Sequence, residues 1–79
     1  MPRYYFHLHD DLVTEDEDGT VFPDDAAALA KAHEEARYLA AESIRSSHRL
    51  VLHHCIVVAD EQGTTLARVT FGSAFAIDA

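Results

Sequence analysis

The groups in this sequence able to ligate a metal or act as nucleophiles are its six histidines and its single cysteine, Cys55. Two pairs stand two residues apart: His7 with His9, and His53 with Cys55. On an extended strand, residues at i and i+2 share a face and lie roughly 7 Å apart. Were the two strands neighbours, three imidazoles and a thiolate could converge, a ligand set that suits zinc. Residues at i and i+2 on a flat strand are spread apart, however, and the ordinary reading of these four is a histidine-rich sheet face that is open to solvent or meets a partner. A second ion is suggested by Thr14 to Asp25, which overlays a twelve-residue calcium loop with Asp16, Asp18, Gly19 and Asp25 at ligand or turn positions. Thr14 stands where such loops begin with aspartate, and Pro23 intrudes, so a solvated acidic turn is the expectation there.

Nucleophilic catalysis would need Cys55 beside a base. His54 is adjacent in sequence and therefore on the opposite face of a strand, leaving His53 as the local candidate. A lone cysteine within apolar neighbours is ordinarily a packed small hydrophobe. Ser46-Ser47-His48 has no accompanying acid and none of the glycines of a nucleophile elbow. Three glycines in the whole chain leave no phosphate-cradling loop. The sequence thus motivates neither an enzyme nor a cofactor.

The elements that would position these residues can be read from periodicity. Arg3 to His9 alternates, with Tyr4, Phe6 and Leu8 on one side and Tyr5, His7 and His9 on the other, which predicts a half-buried strand. After an acidic turn at Asp18-Gly19, a short strand is expected near Thr20–Phe22. Pro23-Asp24-Asp25 opens a helix that runs uninterrupted by Gly or Pro to about Ser46, with a mostly alanine stripe of Leu29, Ala32, Ala36, Leu39, Ala40 and Ser43. No glycine closes it. Leu50 to Ala59 is apolar on both alternating sets, which predicts a central strand buried on two faces. Asp60–Thr64 is a hairpin loop, Thr65–Phe71 the last strand, and Phe75 and Ile77 lie in an apolar tail. The predicted fold is α+β in two layers, one long helix on an antiparallel sheet in ββαββ order, as a single domain over residues 1–79.

Charge narrows the partners. The formal charge is −8, and residues 1–25 contribute −7 of it through eight acids against Arg3 alone. Such a segment repels phosphate backbones and anionic lipid, so neither nucleic acid nor a membrane is the expected partner. MPRYYFHLHDD has no cationic stretch leading into an apolar one, and no window approaches the ~20 apolar residues of a membrane span. With one unpaired cysteine, the expected compartment is the cytoplasm.

The opening Met1-Pro2-Arg3-Tyr4-Tyr5-Phe6-His7-Leu8, the turn Asp16-Glu17-Asp18-Gly19, the helix entry Phe22-Pro23-Asp24 and the late Val58-Ala59-Asp60-Glu61-Gln62-Gly63 together resemble a family of short uncharacterised bacterial proteins, a domain of unknown function, whose members open with an MPRYYFHL-like strand. The resemblance covers nearly the whole chain and implies no activity or site residue. A looser similarity in element order, at the level of fold, is to the HicB-type antitoxins.

A chain of 8.8 kDa buries roughly 63% of its extended surface, enough for one thin core. One helix covers one sheet face, yet the third long element is apolar on both. The expected function is therefore a non-enzymatic cytoplasmic protein-interaction module, a homodimer contacting through Tyr5, His7, Val51 and Val57 on the helix-free face. The alternatives are a zinc-type protein using His7, His9, His53 and Cys55, and a HicB-like antitoxin bound to a protein partner.

Overall fold

The computed structural model describes residues 1–78. Its elements are β1 (Arg3–His9), β2 (Val13–Thr14), β3 (Thr20–Val21), α1 (Asp25–Ser47), β4 (Cys55–Ala59), β5 (Thr65–Thr70) and a 3-10 turn at Phe71–Ser73. All strand pairs are antiparallel, in the order β2-β1-β4-β5, with β3 also on β1. The molecule is thus α+β, one helix on one face of a five-stranded sheet.

β2 and β3 are two halves of one returning strand. Thr14 stands opposite Leu8 and Thr20 opposite Tyr4, so the five residues Glu15–Gly19 span a gap of only three on β1. The surplus is taken up by the acidic turn, which leaves the ladder and re-enters it.

Helix α1 starts where the sequence places it. Asp24 is extended and its carboxylate accepts the Ala27 N–H at 2.8 Å, a cap worth about 1 kcal/mol. The next residue anchors the helix to the sheet, because the Tyr4 hydroxyl donates to Asp25 Oδ1 at 2.6 Å. At the other end His48 fills the left-handed position, φ 56°, that glycine usually takes, and its N–H donates to the Ile44 carbonyl. The buried seam is Ala28, Ala32, Ala36 and Ala40, one residue per turn, with Leu29 and Leu39 flanking it half-buried. It is centred slightly off the predicted stripe and includes Ala28. Methyl groups along the whole seam let the helix backbone lie close over Tyr4, Ile56, Val58 and Val69.

β4 is buried at all five positions, as its two-sided apolar pattern requires. It is half as long as predicted. Leu50 to His54 form a turn instead of a strand, because the chain must drop from the helix end to the sheet there. That turn is bonded by the start of the 3-10 segment, with Phe71 N–H donating to the His54 carbonyl and Gly72 N–H to that of Leu52. Ala74 is buried and Phe75 half-buried against the core, so this part of the tail covers the helix side and not the open sheet face.

The Tyr4–Asp25 bond makes an alkaline prediction. Donation to the carboxylate, then burial and the nearby acids, push the Tyr4 phenol from 10.0 up to about 12. The folded state favours the neutral phenol, so its contribution is complete below pH 10 and is lost as pH rises towards 12. Tyr4→Phe is expected to lower the urea midpoint at pH 8 and to flatten its decline above pH 10. Equal slopes in both proteins would refute the coupling.

Candidate functional site

Cross-strand register sorts the sheet into two faces, since directly opposed residues share a side. The helix side takes Tyr4, Phe6, Leu8, Ile56, Val58 and Val69. The open side takes the rest: Arg3 with Val21, Tyr5 with Ala59, His7 with Val57 and Arg68, and His9 with Val13, Cys55 and Thr70. Tyr5, His7 and Val57 therefore occupy one face, as expected, and Val51 does not. It lies in the turn before β4, next to the helix end.

Val57, Cys55 and Ala59 are buried within the single chain, at 6%, 2% and 5% exposure. Within the one chain the tail does not cover them, since Phe75 packs on the helix side and Ile77 is exposed. Their cover is the long side chains of the flanking strands. The Tyr5 and His7 rings stack 8° from parallel with centroids 6.5 Å apart, and Arg68 Nη1 donates to Cys55 Sγ at 3.2 Å. Arg68 is the residue the sequence reading missed, because only the β4–β5 register places it over the cysteine. What remains exposed on this face is a rim: Val13 at 62%, Val21 at 37% and Arg3 beside it, with Arg68 at the far side and Tyr5 and His7 half-exposed between.

The proposed metal quartet is only partly assembled. His9 stands directly opposite Cys55 and His7 lies one pair along, but His53 is outside the strand, exposed, and packs edge-on against His54 at 5.3 Å. Among the described residues no group of three or more His, Cys, Asp or Glu side chains is arranged to hold an ion. The calcium-like loop is likewise turned inward. Asp16 accepts the N–H groups of Phe6 at 3.1 Å, Gly19 at 3.0 Å and Asp18 at 3.3 Å, while its own N–H donates to His7 Nδ1 at 3.1 Å. Partial burial pushes the Asp16 carboxyl up, but these three hydrogen bonds and nearby His7 outweigh it and hold the group below its ordinary value. The bond to Nδ1 also leaves the His7 proton on Nε2 in the neutral ring.

A cavity of about 250 Å³ lies between the C-terminal end of α1, the β1–β2 turn and the Leu50–His54 turn. His54 Nε2 is 3.4 Å from Asp11 Oδ1 there, and Arg49 Nη1 is 3.6 Å from Asp11 Oδ2. The neighbouring serines do not complete a catalytic set. Ser43 and Ser46 donate their hydroxyl protons to the main-chain carbonyls of Arg49 and Glu42, not to an imidazole.

Residues 3–72 match the family model of a domain of unknown function, DUF6894. The chain belongs to the DUF6894 family. The match runs from the first residue of β1 to the 3-10 turn, and so takes in every strand, the helix and the whole open face of this DUF6894 domain. No curated protein and no solved structure matches it. Among the described residues of the domain no helix is long and apolar enough to cross a membrane.

Proposed function

We propose that this DUF6894 domain is a non-enzymatic protein-interaction module that acts as a homodimer, with the helix-free sheet face as its contact surface. The observation that carries this reading is where the exposed apolar groups of the two short strands fall. Val13 and Val21 both lie on the open face, in register with His9 and Arg3, and the stacked Tyr5–His7 pair lies on the strand beside them. Tyrosine and arginine, both present on this face, are enriched at protein–protein interfaces. Because Val57 and Cys55 are already covered in one chain, the contact energy comes from this rim and the ring pair.

Sedimentation velocity across 1–200 µM protein tests it. A dimer is expected at the upper end, and Val13→Asp with Tyr5→Ala is expected to weaken it at least ~10-fold, because the pair of changes puts an unpaired charge on the contact face and removes an aromatic ring from it. A wild-type protein that stays monomeric throughout would remove the reading.

A further inference from the structure

Asp16 holds two consecutive residues of β1. Its carboxylate takes the Phe6 N–H, and its own N–H donates to Nδ1 of the next residue, His7, at 3.1 Å. The second acceptor is of a kind that gains a proton between roughly pH 8 and pH 5. A neutral imidazole has one nitrogen able to accept, and here that nitrogen is spent on the Asp16 amide. An imidazolium has two donors and no acceptor. Two N–H groups facing each other at this distance form no bond, so proton uptake by His7 and its contact with Asp16 exclude one another.

The groups around the ring give the turn no way to keep that bond. On β1 itself Tyr5 stacks on His7 and His9 follows on the same side. Val57 stands opposite on β4, with Cys55 one pair along, and Arg68 lies beyond Val57 on β5. The short strands β2 and β3 bring no charged or titratable side chain. The turn brings Asp16, with Glu15, Glu17 and Asp18 exposed around it. The Asp16 carboxyl lies below its ordinary value, so it stays ionised where imidazoles titrate and attracts an imidazolium. Its two oxygens, however, already accept the N–H groups of Phe6, Gly19 and Asp18. A charged His7 can reach them only by competing with the bonds that shape the turn, and in either case the Asp16 amide has lost its acceptor.

We propose that His7 is a proton-operated latch on the acidic turn: the neutral ring holds Asp16 by its main chain, and the imidazolium lets it go. The latch lies within one chain and does not depend on the homodimer reading. What it adds is that the border of the open face beside the Tyr5–His7 pair is firm at pH 8 and loosened at pH 5.

Nuclear magnetic resonance of nitrogen-15-labelled protein between pH 8 and pH 5 tests this. At pH 8 the His7 ring is expected in its Nε2–H form, with the Asp16 amide protected from exchange with solvent. The Asp16 amide shift is expected to follow the His7 ring through its titration with a shared midpoint. Its protection factor, corrected for the pH dependence of intrinsic exchange, is expected to fall about 3–10-fold, the scale of one hydrogen bond. His7→Asn offers an acceptor oxygen near the position of Nδ1 and cannot titrate, so its Asp16 amide is expected to stay protected down to pH 5. His7→Phe has no acceptor and is expected to leave that amide unprotected already at pH 8. His9→Asn, two residues along on the same side, is expected to leave the wild-type response in place. A wild-type Asp16 amide that ignores the titration of His7, or one that still responds to pH in His7→Asn, overturns the latch, whether the protein is a monomer or a dimer.

Discussion

Gly19→Ala is expected to destabilise the domain by about 2–5 kcal/mol, whereas Gly63→Ala costs about 1–2 kcal/mol. Both glycines sit in the left-handed region, at φ 70° and 82°, so both substitutions carry the same backbone penalty for an L residue. They differ in their surroundings. A Cβ on Gly63 would meet nothing within 4 Å. On Gly19 it would lie 2.8 Å from the Tyr4 carbonyl oxygen and 2.9 Å from both Arg3 Cγ and Tyr5 Cε2. The carbonyl belongs to β1 and cannot yield without disturbing the sheet, so overpacking adds about 1–3 kcal/mol to the conformational term. Urea denaturation at one fixed protein concentration measures both variants, since association would otherwise shift the midpoints. Equal losses at the two positions would show that the acidic turn does not press against β1 as described.

The second large effect is expected at Asp16. Its carboxylate replaces the ladder partner that the surplus residues of the turn remove, with one oxygen taking the Phe6 N–H and the other those of Gly19 and Asp18. Asp16→Asn can keep one oxygen in place but turns an amide N–H₂ towards a donor. The expected loss at pH 7 is about 1.5–3 kcal/mol, the scale of hydrogen bonds to a charged acceptor. The pH dependence follows from the lowered carboxyl. Its contribution is present above the ordinary carboxylate range and is lost as pH falls through the depressed value of the folded state. Wild-type and variant stabilities measured between pH 7 and pH 2 should therefore differ most at the top of this range and converge at its bottom. A constant gap across it would mean that the charge of Asp16 is not what holds the turn.

Much of this architecture is written in local pattern. The alternation of Arg3–His9, the Pro23-Asp24-Asp25 entry and the break at Asp60–Thr64 each specify an element from a few neighbouring residues, and each is found where expected. The misjudged stretch, Leu50–His54, fails for a physical reason. Its leucines and valine satisfy strand composition, but the Val51 carbonyl accepts from His54 within the turn, and those of Leu52 and His54 accept from Gly72 and Phe71, some twenty residues on, which no local signal announces. Alanine obscures the seam of α1 in the same way, because alanines occur on more than one face of the helix and only packing selects Ala28, Ala32, Ala36 and Ala40. For the candidate site, Tyr5, His7 and Val57 were legible from period-two alternation. Val51 and His53 were assigned by extending that alternation past the true start of β4. Arg68 and the reach of Asp16 across to Phe6 depend on register between distant strands, which one sequence does not display.

The split between β2 and β3 bears on how the protein behaves when crowded. An unbroken edge strand offers a row of free amides and carbonyls onto which further chains can add without limit. Here that edge is cut in its middle by a tight acidic excursion whose own aspartate consumes the Phe6 amide. The interruption denies a template to any incoming strand, and the exposed carboxylates around it repel one. The opposite border, β5, carries a charged arginine, Arg68, in its middle. A sheet with both borders blunted in this way resists fibrous growth by edge-to-edge addition of strands.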